Sequence, residues 1–170
     1  MTPIYAGTFD PLTKGHMNVI DMMVRHFGKG VVLLATNPNK QHMLTGEERH
    51  NLIRDALHRD YNAILKYKVG VSATYGYVAD WARDLYGDEA VLVRGVRNEK
   101  DYLYEKEIAD FNRKRAHVET ILIPANDNYQ HVSSTQIKEW MRVGNWEEIK
   151  RYTPESVMQY LMQKMIQEKK

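Results

Sequence analysis

A chain of 170 residues fits one domain spanning 1–170, long enough to bury about 70% of its unfolded surface. Its 43% hydrophobic and 27% charged residues are ordinary for a globular protein, and its 24 basic and 22 acidic residues are interspersed, which excludes the clustered basic stripe of a broad nucleic-acid surface. There is no cysteine, so disulfides, thiolate metal sites and cysteine nucleophiles are excluded, and no apolar run approaches the ~20 residues of a membrane-spanning helix.

The first residues, MTPIYAGTFD, carry no basic leader ahead of a long apolar core, so no secretory signal is expected. PIYAGT (3–8) predicts a strand. Met17, Val19, Ile20, Met22, Met23, Val24 and Phe27 follow a helical spacing and predict a helix over 16–27. GVVLLAT (30–36), apolar throughout, reads as a parallel strand buried on both faces. Thr45 with Glu48 three residues later is a capping-box signature for a helix through about residue 57. AILKYKVG (63–70) alternates like a strand. A helix over 75–86, ended by Gly87, precedes a buried strand AVLVRGV (90–96) and a long polar helix over 99–116. VETILIPA (118–125) is the fifth strand. Ser133 or Ser134 caps a helix carrying Ile137, Trp140 and Met141, and Pro154 opens a last helix reaching about residue 167. Its Val157, Tyr160, Leu161 and Met165 serve either a subunit contact or the core.

Strands alternating with helices across short connections imply right-handed crossovers. The predicted fold is α/β: a Rossmann-like, doubly wound, five-stranded parallel sheet with helices on both faces, plus C-terminal helices. Such sheets bind ligands beyond the carboxyl ends of their strands, at the switch point. Three polar segments fall at such ends: GTFDPLTKGH after the first strand, TNPNK after the second and RGVRNEKD after the fourth.

The chain lacks G-x-G-x-x-G, the Walker P-loop, H-E-x-x-H and G-x-S-x-G, and its seven histidines are scattered, so no metal cage is visible. What remains is a loop entering a helix near Gly15 and His16. A helix N-terminus presents free N–H groups and positive partial charge, which attract phosphate. Two readings stay open: His16 donates to a phosphate, or the glycines and Pro11 shape a turn and His16 is a surface residue. Lys40 either grips an anion or is a solvated lysine. Arg94 and Arg97 flank Gly95 at the end of a buried strand, where two cations call for an anionic partner. Ser133, Ser134 and Thr135 offer more hydroxyls than one cap needs. Glu105 is an anion-site residue or an ordinary helix carboxylate, and Tyr129 stacks on a base or packs. Together these residues predict one cation-rich rim suited to a polyphosphate.

Thr13-Lys14-Gly15-His16 resembles the (H/T)-x-G-H signature of the nucleotidyltransferase superfamily, and VSSTQIK resembles its late I-S-S-[ST] signature. VRGVRNEKDYLYEKEIADFNR resembles the RGLR…DFEYE…MNR block of bacterial phosphopantetheine adenylyltransferases, and NPNKQHMLTGEER resembles that family's N-P-x-K-x-x-[ML]-F-[ST]-x-E-E-R. The likeness spans nearly the whole chain. It implies adenylyl transfer from ATP to 4′-phosphopantetheine, giving dephospho-coenzyme A and pyrophosphate, with magnesium, a cytoplasmic location and a homohexamer. It further implies binding of ATP, 4′-phosphopantetheine, dephospho-coenzyme A and coenzyme A, and no nucleic-acid or membrane partner. The residues matching Thr8, Lys40 and Arg94 would contact phosphopantetheine, with Val78 lining the pocket of the pantetheine arm. Those matching Thr8, Phe9, His16, Gly95, Val96, Arg97, Glu105, Tyr129, Ser133, Ser134 and Thr135 would contact ATP. His16, Thr8, Lys40 and Arg94 would form the catalytic set, His16 stabilising the transition state. Magnesium is expected on the ATP phosphates rather than in a protein cage.

The chain departs from the family pattern at Ala6 (usually proline), at Leu103 within Asp101-Tyr102-Leu103-Tyr104-Glu105 (one carboxylate fewer), at Thr135 and at Tyr129. The largest departure is VSATYGYVADWA over 71–82, which leaves the acceptor pocket least defined. Two rivals follow. SSTQIK also resembles nicotinate- or nicotinamide-mononucleotide adenylyltransferases, which lack the RGVR…YLYE block. A non-catalytic nucleotide-sensing module would need no transition-state donor.

Overall fold

The computed structural model describes residues 1–36, 41–61 and 67–168. The first half alternates β1 (Thr2–Gly7), α1 (Lys14–Phe27), β2 (Gly30–Ala35), α2 (Gly46–Asp55) and β3 (Val69–Thr74). α3 (Val78–Tyr86), β4 (Ala90–Val96), α4 (Glu99–Ala116) and β5 (Glu119–Pro124) follow. α5 (Ser134–Val143), α6 (Trp146–Tyr152) and α7 (Glu155–Glu168) close the chain. Among the described residues the strands form one parallel sheet in the order β3-β2-β1-β4-β5. From β1 the chain winds one way to β2 and β3, then the other way to β4 and β5. The crevice between β1 and β4 is therefore the switch point at which an open sheet of this kind receives ligands.

Helices cover both faces, so the central strands are apolar on both sides, as their sequences anticipate. On one face Tyr5, Val32, Leu34 and Val93 pack with Met17, Ile20 and Met23 of α1 and with Ile137, Val157 and Leu161 of the C-terminal helices. On the other, Ile4, Ala6, Leu33 and Leu92 meet Ala79, Ala82 and Ala116. Each large aliphatic side chain buried here contributes about 1.5–3 kcal/mol. Val157 and Leu161 are fully buried, which assigns these two of the last helix's apolar residues to the core.

The largest shift from the sequence reading concerns β3. Of the segment 63–70 predicted as a strand, residues 63–66 lie outside the described residues, Tyr67 and Lys68 are helical, and the strand begins at Val69. The partner decides the boundary: all six residues of β2 pair with β3, from Gly30 with Val69 to Ala35 with Thr74. Residues 75–77, predicted helical, form the turn before α3, where Thr74 Oγ1 accepts from Gly76 N–H at 3.2 Å. Helix α6 was absent from the sequence reading. Its signal is Asn145, whose side chain accepts from the Glu148 backbone N–H and so caps a first turn. α2 continues through a wider π-helical turn, Ala56–Asp60, whose Asp60 carboxylate accepts from both the N–H and the hydroxyl of Ser156 at the start of α7.

Candidate active site

The loop between β1 and α1 explains why a histidine stands at a helix start. Thr13 is the N-cap of α1: its hydroxyl accepts from His16 N–H at 3.3 Å, and His16 Nδ1 accepts from Thr13 N–H at 3.0 Å. This is a reciprocal capping box with imidazole in the place usually held by Glu or Gln. It also fixes the tautomer. A nitrogen that accepts carries no proton, so neutral His16 holds its proton on Nε2. Burial, then the nearby Arg97 and Arg94 charges, lower its pKa to about 4, so the imidazole is a neutral N–H donor at pH 7. Phe9 packs edge-on to the ring, with centroids 5.2 Å apart. Phe9 has a left-handed backbone, φ 48°, and a Cβ on Gly7 would stand 2.9 Å from its ring, so only glycine leaves that ring room.

A cavity of about 300 Å³ opens above this loop, at the carboxyl ends of β1 and β4. Its walls include Thr8, His16, Arg94, Gly95, Arg97, Glu105, Tyr129, Ser133 and Ser134, so nine of the residues singled out from sequence meet at one place. Arg94 makes a fork to Glu105, Nε to Oε2 at 2.7 Å and Nη2 to Oε1 at 2.6 Å, and Nη1 donates to the Ala6 carbonyl. Arg97 pairs with Asp101 at 2.7 Å and donates to the Val132 carbonyl at 3.2 Å. The cation-rich rim is thus balanced by two carboxylates. Its pull on an anion rests more on directed N–H groups than on net charge. Ser133 caps α5, accepting from Gln136 N–H, whereas Ser134 Oγ donates to Pro11 C=O at 2.8 Å and ties the two loops together.

Other predicted residues sit elsewhere. Phe9 is buried beneath the cavity, Thr135 is exposed outside it, and Val96 ends β4 without reaching its wall. Lys40 lies outside the described residues. Val78 lines a second cavity of about 590 Å³ with Tyr75, Tyr77, Ile108, Phe111 and Asn112. Ala6, Thr8 and Arg94 belong to both cavities and form the wall between them. Arg115 packs on the Tyr77 ring: its Cζ lies 3.7 Å from the ring centre, and its Nη2 pairs with Asp80 at 2.7 Å.

Three residues escaped the sequence reading. Asn112 is buried in the second cavity, with no hydrogen-bond partner for its amide among the described residues. Arg49, 1% exposed, donates to the Thr8 carbonyl at 2.9 Å, to Thr36 Oγ1 at 3.3 Å and to the Thr45 carbonyl at 3.3 Å. Asp10 accepts from the N–H groups of Met43 and Leu44 at 3.0 and 2.9 Å and from Lys138 Nζ at 3.3 Å. Arg49 and Asp10 stand inside motifs that are visible in the sequence. Arg49 lies 41 residues from Thr8 and Asp10 lies 33 or more residues from its partners, so spacing alone gave no sign of these cross-links.

A family model described as cytidylyltransferase-like matches residues 4–140. The phosphopantetheine adenylyltransferase of Clostridium perfringens is 34% identical over 165 residues, covering 96% of this chain and 94% of the relative. That of Oenococcus oeni is 33% identical over 158 residues, covering 93% and 94%. Among solved structures, the nicotinic acid mononucleotide adenylyltransferase of Plasmodium falciparum, complexed with NaAD, superposes with a TM-score of 0.70 at 15% identity, over 95% of this chain and 94% of that one. A putative nicotinate-nucleotide adenylyltransferase from Vibrio parahaemolyticus gives 0.66 at 20% identity, over 96% and 93%. At these identities the structural likeness is one of fold.

Proposed function

Because the chain belongs to the phosphopantetheine adenylyltransferase family, within the cytidylyltransferase-like group, we propose that its first cavity takes ATP and its second the pantetheine arm of 4′-phosphopantetheine. The reaction is adenylyl transfer, yielding dephospho-coenzyme A and pyrophosphate in coenzyme A biosynthesis. The observation that supports this division is the shared wall. Two cavities meeting at Thr8 and Arg94 suit two substrates that must react where they touch.

The acceptor is a phosphate monoester, already ionised near neutral pH, so no general base is needed. An acceptor oxygen bonds the α-phosphorus, the bond from that phosphorus to the bridging oxygen breaks, and pyrophosphate leaves with the electron pair. The protein's work is alignment and charge dispersal. His16 Nε2–H donates to an α-phosphate oxygen as negative charge builds there. Arg94, held by Glu105 and Ala6, still has an N–H to spare on each of Nη1 and Nη2 for the acceptor phosphate, and Thr8 orients that group. The resemblance assigns Lys40, which lies outside the described residues, to the same phosphate. Met43 and Leu44, farther along the chain, donate their N–H groups to Asp10 in the signature loop. Arg97 and the first-turn N–H groups of α5 take the β- and γ-phosphates.

Among the described residues no three His, Asp, Glu or Cys side chains converge as a metal cage. Asp101 and Glu105 are both engaged by arginines. These donors fit a magnesium ion that stays on phosphate oxygens and water, where it would spread the triphosphate charge. A cytoplasmic homohexamer belongs to the same reading.

Purified protein given ATP, magnesium and 4′-phosphopantetheine should release pyrophosphate and form dephospho-coenzyme A. Turnover with nicotinate or nicotinamide mononucleotide instead would move the acceptor assignment to the sister enzymes. ATP binding without turnover of any acceptor would make the chain a sensor.

A further inference from the structure

Tyr5 plays no part in the chemistry described so far, yet it stands on the central strand directly under the site. It pairs with Val32 on one side and Val93 on the other, and its ring lies on the α1 face of the sheet. Phe9 meets the ring edge-on at 5.5 Å between centroids, and the His16 ring is 6.4 Å away. The residue is 6% exposed. A phenol so deeply placed ordinarily finds a partner for its O–H. Here no group among the described residues hydrogen-bonds it, and the oxygen is not sealed in apolar packing, because Tyr5 lines the first cavity. The hydroxyl reaches the end of β4, 4.0 Å from the point where a Cβ on Gly95 would stand. Tyr5 takes no part in the wall of the second cavity.

An unpartnered hydroxyl facing one cavity only is placed to meet the ligand of that cavity. Its neighbours there are the imidazole N–H of His16 and the guanidinium groups of Arg94 and Arg97. These groups donate, and the Glu105 and Asp101 carboxylates on the same wall are already engaged by the two arginines, so the shared target is a group rich in acceptors. Burial holds the phenol far above its ordinary range, which keeps it protonated and a donor throughout the working pH range.

We propose that the Tyr5 hydroxyl is a further nucleotide-binding donor, hydrogen-bonding a phosphate oxygen of the bound ATP from the floor of the first cavity. This rests on the reading that the first cavity takes ATP, and is independent of which acceptor fills the second. Gly95 belongs to the same device: a side chain there would press Val19 Cγ2 at 2.8 Å and crowd the space the phosphate needs above the hydroxyl.

The variant Tyr5→Phe removes the oxygen and keeps the ring. A protein-only role for the hydroxyl would make this variant less stable. A role toward the ligand predicts a different pattern: the melting temperature of the ligand-free variant is not lowered, since no hydrogen bond within the protein is lost. Its calorimetric Kd for ATP with magnesium weakens roughly 10- to 100-fold, the size of one hydrogen bond to a charged group. The inhibition constant of adenosine stays within about twofold, because the hydroxyl addresses phosphate. ATP binding equal to that of the parent protein, an equal loss for adenosine and ATP, or a lowered melting temperature would each overturn the proposal. Failure of the parent protein itself to bind ATP would instead overturn the assignment of the first cavity.

Discussion

The two cavities differ in what builds them. The first is framed by strand ends and helix starts, and nearly every polar group on its wall is held by another: His16 by Thr13, Arg94 by Glu105, Arg97 by Asp101, Ser134 by Pro11. The second is walled by the loop before α3 and one side of α4. Its aromatic rings stand largely in solvent, Tyr75 at 75%, Tyr77 at 56% and Phe111 at 46% exposure. A site that stabilises a short-lived charge needs donors fixed before the substrate arrives. A site that holds a long flexible arm needs apolar area and a few polar anchors. On the proposed reading, chemistry is concentrated in the first cavity and acceptor choice in the second, and substitutions should separate the two.

His16→Ala should give the largest effect. Turnover falls roughly 10²–10³-fold while the KM for ATP and for the acceptor changes little, the pattern of a donor used in the transition state. Near-normal turnover would remove His16 from the mechanism. The same residue should leave a mark on stability. The unfolded chain takes up a proton on this imidazole as the pH falls below about 6.5, the folded chain only near 4. Folding stability is therefore fully present above that window and lost as the pH drops through it, by on the order of 3 kcal/mol. Chemical denaturation followed from pH 7 to 4 should show a steeper decline for the parent than for His16→Asn. Parallel curves would mean the imidazole is not held neutral.

On the other side of the shared wall, Asn112→Ala should raise the KM for 4′-phosphopantetheine about tenfold, one lost hydrogen bond, and leave the KM for ATP unchanged. An equal rise in both would merge the two cavities into one functional unit. The smallest effect belongs to Tyr77→Ser, which removes an aromatic wall and the platform under Arg115. Acceptor KM should rise a few-fold, the usual scale for one exposed cation–π and aromatic contact. No change in steady-state kinetics would leave Tyr77 outside the acceptor's path.

The same contrast governs how much could be read from the chain. Thr8, His16, Arg94, Arg97 and Ser133 lie in short motifs whose residue types already suggest phosphate, and the buried strands that carry them are continuous apolar runs. The sheet and the first cavity were legible for that reason. The second cavity was legible only at Thr8, Arg94 and, through the resemblance, Val78, because Tyr75 and Tyr77 follow a strand whose limits are set by pairing with β2 rather than by its own alternation. Asn112 on α4 looks like any polar helix residue until the fold turns it toward a cavity. Tyr5 reads as core in the sequence, and only the missing partner of its oxygen sets it apart. The expected excess of cations shrank for a related reason: the reach of Asp101 and Glu105 back to Arg97 and Arg94 is a tertiary fact.

Glu48 and Arg49 are consecutive on α2 and face opposite duties. Glu48 is gripped by Tyr160 and by Lys164 Nζ at 2.8 Å. Burial works against its charge, but the hydrogen bonds from Lys164, Tyr160 and Thr45 outweigh it and hold the carboxyl near 2. Arg49 clasps the carbonyl of Thr8. One helix turn thus links α7 to the loop between β1 and α1 at Thr8. Cutting back α7 would be felt first as slackness in the loop that carries Thr8 and His16.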